Sequence, residues 1–138
     1  MKTYLFLDDF RNPGDCVNYM GFRIQDPAIY TRENWVVVRN YDEFVNHITE
    51  NGLPYYISFD HDLADEHYDP SMYHVNYNDV AKSFKEKTGY DCAKWLVDYC
   101  LDNMKNLPNF VVHSMNPVGT KNIFDYLSNF KSFQNFEI

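Results

Sequence analysis

Two acidic clusters each follow a short apolar run: Thr3 to Leu7 (TYLFL) leads into Asp8-Asp9, and Tyr55 to Phe59 (YYISF) leads into Asp60-His61-Asp62. Carboxylates gathered from two strand ends repel one another unless some are protonated or a cation sits between them. A hard divalent ion is the simpler solution, so Asp8, Asp9, Asp60 and Asp62 form the candidate metal set. Oxygen ligands of this kind suit Mg²⁺ or Mn²⁺, and imidazoles from His61 and His113 tilt the choice toward Mn²⁺ or another transition metal. The plainer alternative is that Asp8 and Asp9 cap a turn while Asp60 to Asp62 begin a loop. His61 and His113 are the natural acid and base, since imidazole takes and returns a proton near neutral pH, and Asp60 joins them as the candidate catalytic set. His47 falls on a helix pattern and reads as a surface residue. His67 and His74 lie in a Tyr-rich connection and are outside candidates only.

A second stretch, His113-Ser114-Met115-Asn116-Pro117-Val118-Gly119-Thr120-Lys121, joins a strand pattern to a helix start. Unsatisfied backbone N–H groups and the helix dipole attract anions there. Ser114, Asn116 and Gly119 are therefore candidate phosphate contacts, with Lys121 as a point charge and Arg11 as a forked one. The competing reading is a plain helix cap with proline at the first helical position and a solvated Lys121.

The elements that must carry these residues alternate in type. Thr3 to Leu7 reads as a buried parallel strand, Trp35 to Arg39 as a β-branched second strand, Tyr55 to Phe59 as a third, and Phe110 to Val112 as a fourth. Asn40 with Glu43 marks a capped helix whose Tyr41, Phe44, Val45 and Ile48 recur at helical spacing before Asn51-Gly52 and Pro54 stop it. Thr88 opens a helix with Ala93, Leu96, Val97, Cys100, Leu101 and Met104 on one stripe, and Asn116-Pro117 opens another with Ile123, Phe124, Leu127 and Phe130. Gly14 to Asn34 shows no such stripe and is expected to be an irregular excursion with at most a short helical turn. Residues 64 to 87 form a long polar connection, expected to act as a lid, with one short helix near Asp79 to Lys87. A short edge strand is expected near Phe133 to Ile138. Alternating strands and helices imply a parallel sheet with ligands at its carboxyl edge, where Asp8, Asp9, Asp60 and His113 all fall.

Composition narrows the function. A chain of 138 residues, 45% hydrophobic and 18% aromatic, is expected to be one globular α/β domain over residues 1–138. A net charge of −8 disfavours a broad nucleic-acid surface, because that affinity comes from displaced counterions, but it leaves room for a small phosphate ligand or a single RNA end. No apolar run approaches the roughly 20 residues of a bilayer span, and no secretory segment follows Met1, so a cytoplasmic protein without membrane contact is expected. Cys16, Cys92 and Cys100 lack metal or redox spacing and read as reduced packing residues.

Four blocks, LDDFRNP at Leu7 to Pro13, SFDHDL at Ser58 to Leu63, TGYDCAKWL at Thr88 to Leu96 and HSMNPVGTKNI at His113 to Ile123, together resemble the cyclic-phosphate processing receiver domain family. The resemblance implies a flavodoxin-like, receiver-like fold: a mostly parallel sheet of four to five strands, with the first helix degenerate and the fifth strand weak or absent. It also implies a role in handling cyclic nucleotides or 2′,3′-cyclic-phosphate RNA ends. Against response-regulator receivers, Asp8 and Asp9 match the acidic pair that holds Mg²⁺, Asp60 the phospho-accepting aspartate and Ser114 the hydroxyl residue after strand four. The fifth-strand lysine has no counterpart, and His61 and His113 are additions. The combination points to a metal-dependent phosphoesterase. Its competitors are a module that binds a phosphorylated small molecule without turnover, and signalling through Asp60.

Overall fold

The computed structural model describes residues 2–20, 27–63 and 87–133. The expected lid and helix over 64 to 86, with His67 and His74, lie outside them, as do residues 134–138 of the expected edge strand. Its first residue, Phe133, ends a helix instead.

Four parallel strands, β1 (Tyr4–Leu7), β2 (Trp35–Val38), β3 (Tyr56–Phe59) and β4 (Asn109–Val112), are ordered β2-β1-β3-β4. This all-parallel sheet flanked by helices is a flavodoxin-like receiver fold. Pairing is in level register, with Leu7 opposite both Val38 and Phe59, and Phe59 opposite Val112. The ladder continues one residue past the strands: Asp8 N–H donates to the Val38 carbonyl at 3.1 Å, Asp60 N–H to Leu7 at 2.9 Å and His113 N–H to Phe59 at 2.8 Å. Backbone bonding thus sets Asp8, Asp60 and His113 side by side at the carboxyl edge.

Side chains alternate between the two faces of the sheet. Leu5, Leu7, Val38, Ile57, Phe59 and Val112 share one buried core with α3 (Tyr41–Asn51), α4 (Gly89–Asn103) and α5 (Pro117–Phe133). Phe6 and the partly buried Val37, Tyr56 and Val111 face the other way, onto Cys16, Ile29 and Tyr30 of α1 (Pro13–Met20) and α2 (Ile29–Arg32). All three cysteines are buried thiols outside any disulfide.

Helix ends follow local chemistry. The Asn40 side chain accepts from Glu43 N–H at 2.9 Å, and Gly52 leaves α3 at φ 84°. Thr88 and Asp91 form a reciprocal capping box for α4. Three expectations are corrected. Pro13–Met20 is helical where an irregular excursion was expected, because Pro13 can occupy a first turn and Asp15 accepts from Asn12 N–H at 2.8 Å; cap chemistry here replaces an apolar stripe. Leu101 and Met104, assigned to the buried stripe of α4, are exposed; Met104 ends the helix in the left-handed region at φ 54°. Phe124 of α5 is exposed as well, while Ile123 and Leu127 alone of its stripe are fully buried. No described helix is long and apolar enough to cross a membrane.

Candidate active site

Asp8, Asp60 and His113 each present one ligand-capable atom, all lying within 4.8 Å of one another, and all three side chains are buried. They come from the ends of three neighbouring strands and fall on the face that carries Phe6, Ser58 and Val111. Asp8 is held from both sides. Its Oδ1 accepts from Phe10 N–H at 3.0 Å and Arg11 N–H at 2.8 Å, and its Oδ2 lies 3.0 Å from His113 Nε2. Burial by itself raises the Asp8 pKa, but the hydrogen bonds from His113, Arg11 and Phe10 outweigh it and leave the carboxyl below its ordinary value.

Asp60 has the opposite balance. It is 1% exposed, and its Oδ2 has no hydrogen-bond partner among the described residues. Burial, followed by the charges of Asp8, Asp62 and Asp9, pushes its pKa well above the ordinary carboxylate value against the pull of Arg11. A buried carboxylate oxygen without a partner, facing a second carboxylate, is costly unless a proton or cation compensates it. The donor set of two carboxylates fits the hard divalent ion expected from sequence.

His113 is fully buried, stacked on the Phe6 ring at 4.5 Å between centroids and 5° between planes. Its Nδ1 lies 2.6 Å from Ser58 Oγ, which lies 2.8 Å from the Tyr30 hydroxyl. Burial holds the His113 pKa below its usual value despite the hydrogen bond and charge of Asp8. Burial likewise raises that of Tyr30.

His61 turns the other way. One residue after Asp60, it continues the strand alternation toward the face covered by α5. Its Nδ1 lies 2.7 Å from Asp62 Oδ1, which also accepts from Asn116 Nδ2 at 3.1 Å. Asn116 has a second task as the N-cap of α5, its Oδ1 accepting from Gly119 N–H at 3.0 Å. Gly119 lies flat against the imidazole: a Cβ there would sit 2.3 Å from His61 Cγ. Gly89 is equally constrained, since a Cβ would fall 1.8 Å from the Asp60 carbonyl oxygen, while its N–H donates to the His61 carbonyl at 2.7 Å.

The sequence-predicted residues therefore separate into groups. Asp8 and Asp60 meet with His113, and Asp9 is near enough for its charge to act on Asp60. Asp62, expected in the metal set, points to His61 and Asn116. Ser114 is buried and accepts from Asn116 N–H at 3.1 Å. The helix start is engaged by its own cap, since Pro117 has no N–H and Gly119 N–H is bound to Asn116. Lys121 is not brought to the site: it is exposed and paired with Asp125 at 2.5 Å. It follows Gly119 by two residues, or about 200° around the helix, which sets it opposite the face on His61. Arg11 lies over the Phe10 ring at 4.6 Å and is close enough for its charge to lower the Asp60 pKa.

Three residues escaped sequence reasoning. Arg39 braces the acidic loop, donating from Nη1 to the Asp8 carbonyl at 3.2 Å and the Arg11 carbonyl at 2.6 Å, and from Nη2 to Asn12 Oδ1 at 2.7 Å. Its position at the carboxyl end of a strand was a usable signal. Ser58 was one too, as a lone hydroxyl in an apolar strand. Tyr30 carried none, because its role depends on a contact 28 residues away in sequence.

Neither a curated protein nor a solved structure matches the chain. The family model for the cyclic-phosphate processing receiver domain matches residues 3–129, which takes in all four strands and the carboxyl-edge acids. With nearly the whole chain matched, the protein belongs to the cyclic-phosphate processing receiver domain family.

Proposed function

We propose that this protein is a metal-dependent phosphoesterase that opens cyclic phosphates, either cyclic nucleotides or 2′,3′-cyclic RNA ends. The observation that carries the reading is the buried Asp60 carboxyl, its Oδ2 without a hydrogen-bond partner among the described residues, clustered with Asp8 within 4.8 Å. Asp8 and Asp60 would hold Mg²⁺ or Mn²⁺, with Asp9 adding negative charge nearby. When bound, such an ion supplies Lewis-acid charge to a phosphoryl centre.

The chain's own groups account for the remainder. Water adds to phosphorus and one ring P–O ester bond breaks, so a proton must leave the water and another must reach the departing oxygen. His61 suits that exchange. Its Nδ1–H is given to Asp62, and Asn116 and Gly119 fix the ring's orientation. His113 has both nitrogens engaged within the protein and is assigned to hold Asp8. Arg11, whose charge reaches Asp60, is assigned to steady the phosphoryl oxygens.

The test is turnover by purified protein with Mg²⁺ or Mn²⁺ on a panel of 2′,3′- and 3′,5′-cyclic substrates. Metal-dependent opening that is lost in Asp60→Asn and strongly reduced in His61→Ala supports the proposal. Absence of turnover on every substrate, or full rate in both variants, sinks it. Tight binding of a cyclic nucleotide recovered intact would instead establish a sequestering module.

A further inference from the structure

Tyr30, Ser58, His113 and Asp8 form one buried line of hydrogen bonds, 2.8, 2.6 and 3.0 Å long in that order. The line joins α2 to the carboxyl edge of the sheet through the interior of β3. Its direction follows from counting protons. At one end Asp8, when ionised, can only accept, so His113 Nε2 carries a hydrogen. At the other end the Tyr30 hydroxyl has one hydrogen, and Ser58 Oγ is its polar partner. Only one arrangement uses every proton. Tyr30 donates to Ser58, Ser58 donates to His113 Nδ1, and His113 Nε2–H donates to Asp8. The reverse arrangement would place a hydrogen on His113 Nδ1, turn Ser58 toward Tyr30 and leave the phenolic hydrogen of Tyr30 buried without an acceptor.

We propose that Tyr30 and Ser58 are positioning residues for the cation site: through Ser58 they hold His113 Nδ1 and reinforce the Nε2–H that Asp8 requires, so that His113 orients Asp8 as a donor and does not ligate the ion. The inference rests on reading Asp8 and Asp60 as a cation site, but not on turnover. It divides the cluster of Asp8, Asp60 and His113 into two carboxylates that meet the ion and one imidazole that steadies them. A ligand imidazole would need its Nε2 lone pair for the metal and would donate from Nδ1, against the direction that Tyr30 sets. The Phe6 ring stacked flat on His113 leaves the imidazole little freedom to turn edge-on to another partner.

The experiment is long-range ¹H–¹⁵N spectroscopy of the full chain with ¹⁵N-labelled histidine, without metal and with saturating Mg²⁺, a diamagnetic probe. His113 is assigned by its loss in His113→Gln, or by its shift in Ser58→Ala if that variant does not fold. The expected result is a hydrogen on Nε2 and a bare Nδ1 in both states. Ser58→Ala should weaken Mg²⁺ binding by about tenfold, in the range of other partners that orient metal ligands. Tyr30→Phe, which keeps the ring, should weaken it less, and in both variants the His113 Nδ1 resonance should shift as its donor is lost or weakened. Transfer of the proton to Nδ1 on adding Mg²⁺ overturns the proposal, as does unchanged Mg²⁺ affinity and Nδ1 shift in both variants, or failure of the wild type to bind Mg²⁺. If the tautomer and affinities are as expected while every cyclic phosphate survives intact, the positioning role stands and the phosphoesterase reading falls.

Discussion

His61 and His113 look alike in sequence, each following a strand, yet the fold gives them different surroundings. His113 extends the face of the sheet that carries Phe6 and Ser58, where an aromatic ring covers it and hydrogen bonds hold both nitrogens. His61 extends the opposite face, where Asp62 and Asn116 orient it and Gly119 makes room for its ring. The cause is the two-residue period of a strand: continued past β3, it sends Asp60 and His61 to opposite sides. One imidazole is built into the support of a carboxylate, and the other is oriented by one. Burial is common to both; what distinguishes them is the partner of each ring nitrogen.

The largest expected effect separates metal binding from folding. Asp60→Asn should abolish Mg²⁺ or Mn²⁺ binding while raising the stability of the metal-free protein at neutral pH, because it removes a buried charge set against Asp8. The effect depends on pH. A folded pKa raised above the reference of 3.8 means that protonated Asp60 favours folding at low pH and that this contribution is lost as pH rises. The stability gap between variant and wild type should therefore be widest at neutral pH and close as pH falls toward 3.8. Metal-free thermal melts across pH check this; a gap that widens on acidification would show that Asp60 is compensated within the chain.

Next, the two histidines should fail differently. His61→Ala should lower kcat by about 10²–10⁴-fold with the metal Kd nearly unchanged, as expected for a lost proton carrier. His113→Ala should instead weaken metal binding and cost about 2–5 kcal/mol of stability, as for other large buried side chains truncated to alanine. Equal losses of kcat at unchanged metal affinity would remove the distinction between them.

Gly119→Ala tests the orientation of His61 alone. The added methyl must displace the imidazole, so kcat should fall by about 10²-fold while the metal site is retained, in line with the cost of a misplaced catalytic group. The smallest effect is expected from Lys121→Ala. Its partner is Asp125 on the solvent side, so turnover and metal affinity should not change. A large loss would return Lys121 to the phosphate and require the start of α5 to rearrange.

Much of this architecture was legible because its causes are local. Apolar runs ending in Asp8 and Asp60 marked the strands, Asn40 and Thr88 marked helix starts, and Gly52 marked a stop. The α1 region was harder to read, since Pro13 and Asp15 build a first turn without a long apolar stripe. The exposure of Leu101, Met104 and Phe124 was illegible for another reason. A helical stripe has a width set by its neighbours, and residues at its margin are buried only if a second element reaches them.

By itself the sequence determined which groups gather at the carboxyl edge, because the apolar runs and the acids or histidine that end them are neighbours in the chain. It thereby determined that carboxylates would crowd there and that compensation would be needed. Only the tertiary structure decided which partner each group took. Asp62 went to His61, Gly119 became the seat of an imidazole, Lys121 turned to solvent, and Tyr30 reached His113 through Ser58. Those pairings join residues distant in the chain and depend on the face each side chain occupies once the sheet and helices are packed.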